Sequence, residues 1–177
     1  MKKKMKVFLP LMLLVIALAF VMTACGDSDE KDKDDEDSTP KYEQPVEAYF
    51  NAIKKGSGIE FKKCFCQEEI DAYIEQRGED YFDDMAKSLN ESFKSRFGED
   101  AKLTYKIKDK EKLDDQKLEK YTKQIQQRID SKEVEVKEGY KLKVKISISS
   151  KTNSDSDEDS ETMYVGKVGG KWVLLDM

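Results

Sequence analysis

The spacing of apolar residues divides the chain near residue 98. Before that point they recur at helical intervals. Pro45 sits where a helix can begin, Val46, Tyr49, Phe50 and Ile53 follow at i, i+3, i+4 and i+7, and Gly56 stops the run, which predicts an amphipathic helix. A shorter helical stretch is expected through Ile59, Lys63 and Phe65. Another runs through Ile70, Tyr73 and Ile74 to Gly78, and a longer one carries Tyr81, Phe82, Met85, Leu89, Phe93 and Phe97 before Gly98.

After Gly98 the period falls to two. Leu103, Tyr105 and Ile107 alternate with Thr104, Lys106 and Lys108, as a strand with one wet face requires. A helical insertion from about Asp114 to Arg128 puts Leu118, Tyr121 and Ile125 on one side, and its polar remainder places it on the surface. Val134 and Val136 lead into Tyr140, Leu142, Val144, Ile146 and Ile148, which alternate with Lys141, Lys143, Lys145, Ser147 and Ser149. Met163 to Val168 and Lys171 to Asp176 form a closing hairpin across Gly169-Gly170. Helices first and an antiparallel meander afterwards predict an α+β domain, with helices on one face of the sheet and a lysine-rich opposite face.

The start of the chain follows neither pattern. Met1 to Lys6 hold four lysines, and the next 16 residues, Val7 to Met22, carry no charge. This is the pattern of a signal peptide, and the run is shorter than the ~20 helical residues that cross a bilayer. Met22-Thr23-Ala24-Cys25 resembles a bacterial lipobox, which implies cleavage after residue 24 and diacylglycerol on Cys25. Several acyl-chain methylenes, each contributing ~0.8 kcal/mol, make a stable anchor. Gly26 to Ser38 hold eight acids and two lysines with no apolar side chain, so residues 25–38 are expected to be an acidic disordered tether. Residues 39–177 remain for one domain with a single core.

Charge and composition remove several functions. Loss of residues 1–24 takes four lysines from a chain of net charge -5 and leaves -9, which disfavours nucleic acid as a partner. The chain has no histidine, so the commonest general base and metal ligand are missing.

The remaining local features have structural readings. Cys64-Phe65-Cys66 lacks the second pair that a tetrahedral metal site needs, and Cys64 shares a helical face with Phe61 and Phe65, which predicts a buried free thiol. Asp155 to Asp159 begin like a calcium loop, but Ser160 and Gly166 stand where that loop needs glycine and glutamate, leaving a polar hairpin loop over Lys151 to Ser160. Lys106, Lys108, Lys141, Lys143 and Lys145 would share a solvated sheet face if the register allows, and Trp172 on the closing strand is expected in the core.

Two longer segments carry a family resemblance. Pro45-Val46-Glu47-Ala48-Tyr49-Phe50-Asn51-Ala52-Ile53-Lys54-Lys55-Gly56 and Tyr164-Val165-Gly166-Lys167-Val168-Gly169-Gly170-Lys171-Trp172-Val173-Leu174-Leu175-Asp176 resemble small lipoproteins of Gram-positive bacteria with an NTF2-like, or cystatin-like, domain. The resemblance implies a curved antiparallel sheet wrapped around a helix as a cone, and brings no catalytic residues. The expected protein is therefore lipid-anchored at the outer face of the cytoplasmic membrane, without a metal or cofactor. Its non-catalytic domain would bind a small ligand or an envelope partner, with Tyr49, Phe50, Tyr73 and Tyr105 as pocket candidates. A structural interaction module with no pocket is the alternative, and a homodimer is compatible with either.

Overall fold

The computed structural model describes residues 39–150 and 157–177, so the expected signal peptide, Cys25 and the expected tether lie outside the described residues. A short 3-10 turn at Lys41–Glu43 leads into α1 (Gln44–Lys55), followed by α2 (Gly58–Lys62), α3 (Gln67–Arg77) and α4 (Tyr81–Phe97). Then come β1 (Lys102–Lys112), α5 (Asp115–Ile129), β2 (Val136–Ser149), β3 (Asp157–Val168) and β4 (Lys171–Leu174). The strands form one antiparallel sheet in the order β1-β2-β3-β4, curled into a half-barrel. Thr39–Asp176 make one compact unit.

Local chemistry places the boundaries. Gly56 adopts φ 61° and its N–H donates to Ala52 O at 2.8 Å, a left-handed helix end that glycine reaches without a Cβ penalty. Asp114 Oδ1 accepts from the Lys117 N–H at 2.8 Å and starts α5. Gly169 and Gly170, at φ 56° and 87°, supply the two positive φ values that a tight hairpin between β3 and β4 requires.

The sheet has helices on both faces. On one face Phe50 of α1 stacks on Tyr105 of β1, with ring centroids 4.5 Å apart and planes 14° apart. The alternation of the strands turns Leu103, Leu142, Val144, Met163, Val165 and Leu174 to this side, all buried. On the opposite face Tyr121 and Ile125 of α5 pack with Val136, Val168, Val173 and Leu175 in a second core cluster. The expectation that all helices cover one face is therefore corrected. Gly139 and Gly166, paired across β2 and β3, explain how α5 fits. A Cβ on Gly139 would stand 2.8 Å from Leu113 Cδ1 and 3.2 Å from Leu118 Cδ2, and one on Gly166 would stand 2.7 Å from Val136 Cγ1. The two missing side chains leave the space that α5 and the chain end fill.

The turn between α2 and α3 passes along the outer edge of β4. Cys64 O accepts from the Leu174 N–H at 2.8 Å, and Phe65 O accepts from Lys171 Nζ at 2.8 Å, so the turn covers an edge that would otherwise expose unpaired backbone. Phe61, Phe65, Tyr73, Tyr81 and Phe82 join α2, α3 and α4 through ring contacts between 5.2 and 6.2 Å.

Two further expectations change. The expected loop over Lys151 to Ser160 is part strand, because β3 starts at Asp157 and pairs Asp157 to Ser160 with Ile148 to Lys145; residues 151–156 lie outside the described residues. Lys108 drops out of the pairing, since the register shifts between Ile107 and Asp109. The shift turns Asp109 and Glu111 to the side of Lys106, Lys141, Lys143 and Lys145, and Glu111 bridges Lys141 at 3.4 Å. The lysine face is mixed in sign.

Candidate functional site

Two adjoining clefts border the start of α1, the first against the β3–β4 hairpin and the second against α2 and the turn that follows it. The first has a volume of about 380 Å³ and is lined by Lys41, Gln44, Pro45, Lys63, Lys171 and Trp172, with Gly170 at the hairpin. The second, about 440 Å³, is lined by Gln44, Glu47, Ala48, Asn51, Glu60 and Lys63. Gln44 and Lys63 border both, so the two form one groove along the first turns of α1.

The groove has a polarity. Three lysines and no acidic residue line the first cleft, whereas Glu47 and Glu60 line the second. Lys63 Nζ lies 3.1 Å from both carboxylate oxygens of Glu60, so it stands at the junction with its charge partly answered. Lys171 Nζ is held by Phe65 O at 2.8 Å, which fixes the ammonium and leaves it further protons to donate. Lys41 is exposed on the 3-10 turn.

Trp172 is partly exposed and lines the first cleft, a correction to its expected place in the core. It lies on the face of the sheet that α1 covers, but at the strand end where α1 begins. Tyr140 stacks on its indole with centroids 5.6 Å apart and planes 23° apart, and Tyr42 approaches both rings. Lys110 Nζ sits over Tyr42 and Tyr140, 4.9 and 5.6 Å from the ring centres. Burial, with Glu43 beside it, lifts the Tyr42 hydroxyl to about 12, so this ring remains neutral at physiological pH.

The four pocket candidates lie elsewhere. Tyr49, Phe50 and Tyr105 come together, with Phe50 between the other two rings, and burial holds the Tyr105 hydroxyl up at about 12. Tyr73 is apart from them, stacked on Tyr81 at 5.3 Å and set edge-on to Phe65. None of the four lines either cleft. Lys41, Gln44, Lys63 and Lys171 were missed by sequence reasoning. Only the Gly-Lys-Trp hairpin end was noticeable there, and nothing in the spacing connects it with Lys41 or Lys63.

The two thiols are buried and free. Neither is on a regular helix interior: Cys64 is in the turn and Cys66 caps α3. Cys64 Sγ donates to Pro45 O at 3.5 Å on the α1 side, and Cys66 Sγ donates to Glu69 Oε2 at 3.4 Å and belongs to the α5 cluster, so the two point into opposite cores. Burial pushes Cys64 far above the usual thiol range, and burial with Glu69 pushes Cys66 up to about 12. Both therefore remain poor nucleophiles and poor metal ligands. Among the described residues, no group of three or more Cys, Asp or Glu is placed to hold a metal ion, and no helix is long and apolar enough to cross a membrane.

No family model, curated protein or solved structure matches the chain.

Proposed function

We propose that the protein is a lipid-anchored binding module of the bacterial envelope. Diacylglycerol on Cys25 holds it at the outer face of the cytoplasmic membrane. Its NTF2-like domain is non-catalytic and takes a small ligand or an envelope partner in the groove at the start of α1. The observation that carries the reading is the groove itself, two adjoining clefts of about 380 and 440 Å³ bordered by charged residues. Anchoring is supported by the charge-free run before Met22-Thr23-Ala24-Cys25. A non-enzymatic role is supported by the lack of histidine and by two thiols held protonated. The stack of Phe50 on Tyr105, which fills the space between α1 and the sheet, favours a second reading, an accessory interaction module without a ligand pocket.

Native mass spectrometry of the domain after incubation with a cell-envelope extract tests the main reading. An added mass in the native spectrum that disappears on denaturation supports a ligand. Bare protein throughout moves the function to the accessory reading, and the same spectrum gives the ratio of monomer to dimer. Metabolic labelling with a clickable fatty acid should mark the full chain and spare Cys25→Ser; equal labelling of both would remove the anchor from the proposal.

A further inference from the structure

We infer that the first cleft is a phosphate-ester site, with Lys41 and Lys171 holding the phosphate and Trp172 with Pro45 contacting the organic body. This rests on the binding-module reading and specifies its ligand. Lys41, Lys63 and Lys171 line the cleft with no acidic residue among them, and with Lys63 paired to Glu60, Lys41 and Lys171 remain for an anion, although the chain as a whole has net charge -5. Excess positive charge is therefore concentrated here against the overall balance. A phosphate ester brings one or two negative charges on several acceptor oxygens, matched to the two lysines that Glu60 does not engage and suited to lysines acting as point charges.

The surrounding acids sharpen the assignment. Glu60 is engaged with Lys63 at 3.1 Å and with Lys55 at 4.0 Å, and it lines only the second cleft with Glu47. An anion is thus drawn toward Lys41 and Lys171 and repelled from the far end of the groove. Lys171 is positioned in advance by Phe65 O at 2.8 Å, so binding an anion there costs less side-chain ordering. Trp172, braced by Tyr140, and Pro45 give an apolar wall for the ester group. The volume, about 380 Å³, suits a compact ester such as a glycerol or sugar phosphate. The same chemistry is offered by a soluble ester and by a phospholipid headgroup.

The chain has one tryptophan, so indole fluorescence reads this cleft directly. The full chain in neutral detergent is titrated with glycerol phosphate, inorganic phosphate and glycerol, and in a second arm with phosphatidylglycerol or phosphatidylcholine vesicles. A saturable change in Trp172 emission with glycerol phosphate, absent with glycerol, supports the site. A response to phosphatidylglycerol vesicles alone assigns the headgroup as the source, and a response to the soluble ester assigns a free ligand. Lys41→Ala should weaken binding about tenfold and Lys41→Arg should restore most of it. Lys41 is exposed, so neither variant threatens the fold, and circular dichroism checks this. No response to either phosphate source, or full affinity in Lys41→Ala, overturns the inference. An envelope-extract adduct that contains no phosphate overturns it while leaving the binding-module reading intact, whereas absence of any adduct removes both.

Discussion

Arg128 of α5 reaches Glu69 of α3 at 3.0 Å, and the Glu69 carboxylate is wholly excluded from solvent. Burial lifts the Glu69 carboxyl above the usual carboxylate range, with Arg128 pulling it back down. The second carboxylate oxygen accepts from the Cys66 N–H at 3.4 Å, closing the start of α3 onto the same group. A pair of this kind is costly to break from one side, although Arg128, at 21% side-chain exposure, keeps some access to water when Glu69 is removed. Glu69→Ala should lose about 2 to 3 kcal/mol in urea denaturation, and replacing both residues with methionine should recover much of that loss. A loss below about 1 kcal/mol for Glu69→Ala would mean the pair is not held together in solution.

Stability should fall as pH rises from about 4 to about 6. Burial raises Asp176 from its ordinary value of 3.8 to about 6, against the Tyr164 N–H and Arg128, while Glu69 and Glu161 are also raised by burial. Over that window the folded chain holds protons that the unfolded chain has released, so raising the pH favours unfolding. The partly exposed position of Asp176 limits its share to about 2 kcal/mol. Urea midpoints across this range should drop with pH, and Asp176→Asn should flatten the slope. An unchanged slope in that variant would remove Asp176 as the cause.

The two buried thiols should be silent in the native state. With Cys25→Ser removing the third cysteine, a thiol reagent should find almost no reactive group in buffer and both Cys64 and Cys66 in strong denaturant. Rapid native labelling of either would show that the turn between α2 and α3 opens on its own.

Gly139→Ala should cost about 1 to 3 kcal/mol by crowding. The new methyl group would meet Leu113 Cδ1 at 2.8 Å and the Val165 carbonyl oxygen at 2.9 Å, and the latter is backbone with little room to yield. Lys143→Ala, exposed on the same face of β2, should change stability by less than about 0.5 kcal/mol. Equal effects of the two substitutions in denaturation would mean that α5 does not pack closely over Gly139.

Much of the element pattern was legible because it depends on local spacing. The four apolar positions of α1 and its terminal Gly56, the alternation from Tyr140 to Ile148, and the Gly169-Gly170 turn all read directly as structure. The groove was not legible. Lys41, Lys63 and Lys171 are separated by 22 and then 108 positions, and an exposed lysine leaves no periodic trace that would link it to another.

By itself the sequence determined most of the segments that become helix and strand, though not the start of β3 at Asp157, since side-chain period and backbone freedom at glycine are properties of neighbouring residues. It also determined the acidic charge balance and the lack of histidine chemistry. Tertiary structure alone decided that α5 crosses to the second face, that the one-residue bulge at Lys108 mixes acids into the lysine face, and that Phe50 fills the space where an open pocket was expected. Period-two alternation separates the two faces of a strand, but it carries no information about how far along a face the cover extends. That limit is set by steric fit, here by the paired Gly139 and Gly166 beneath α5.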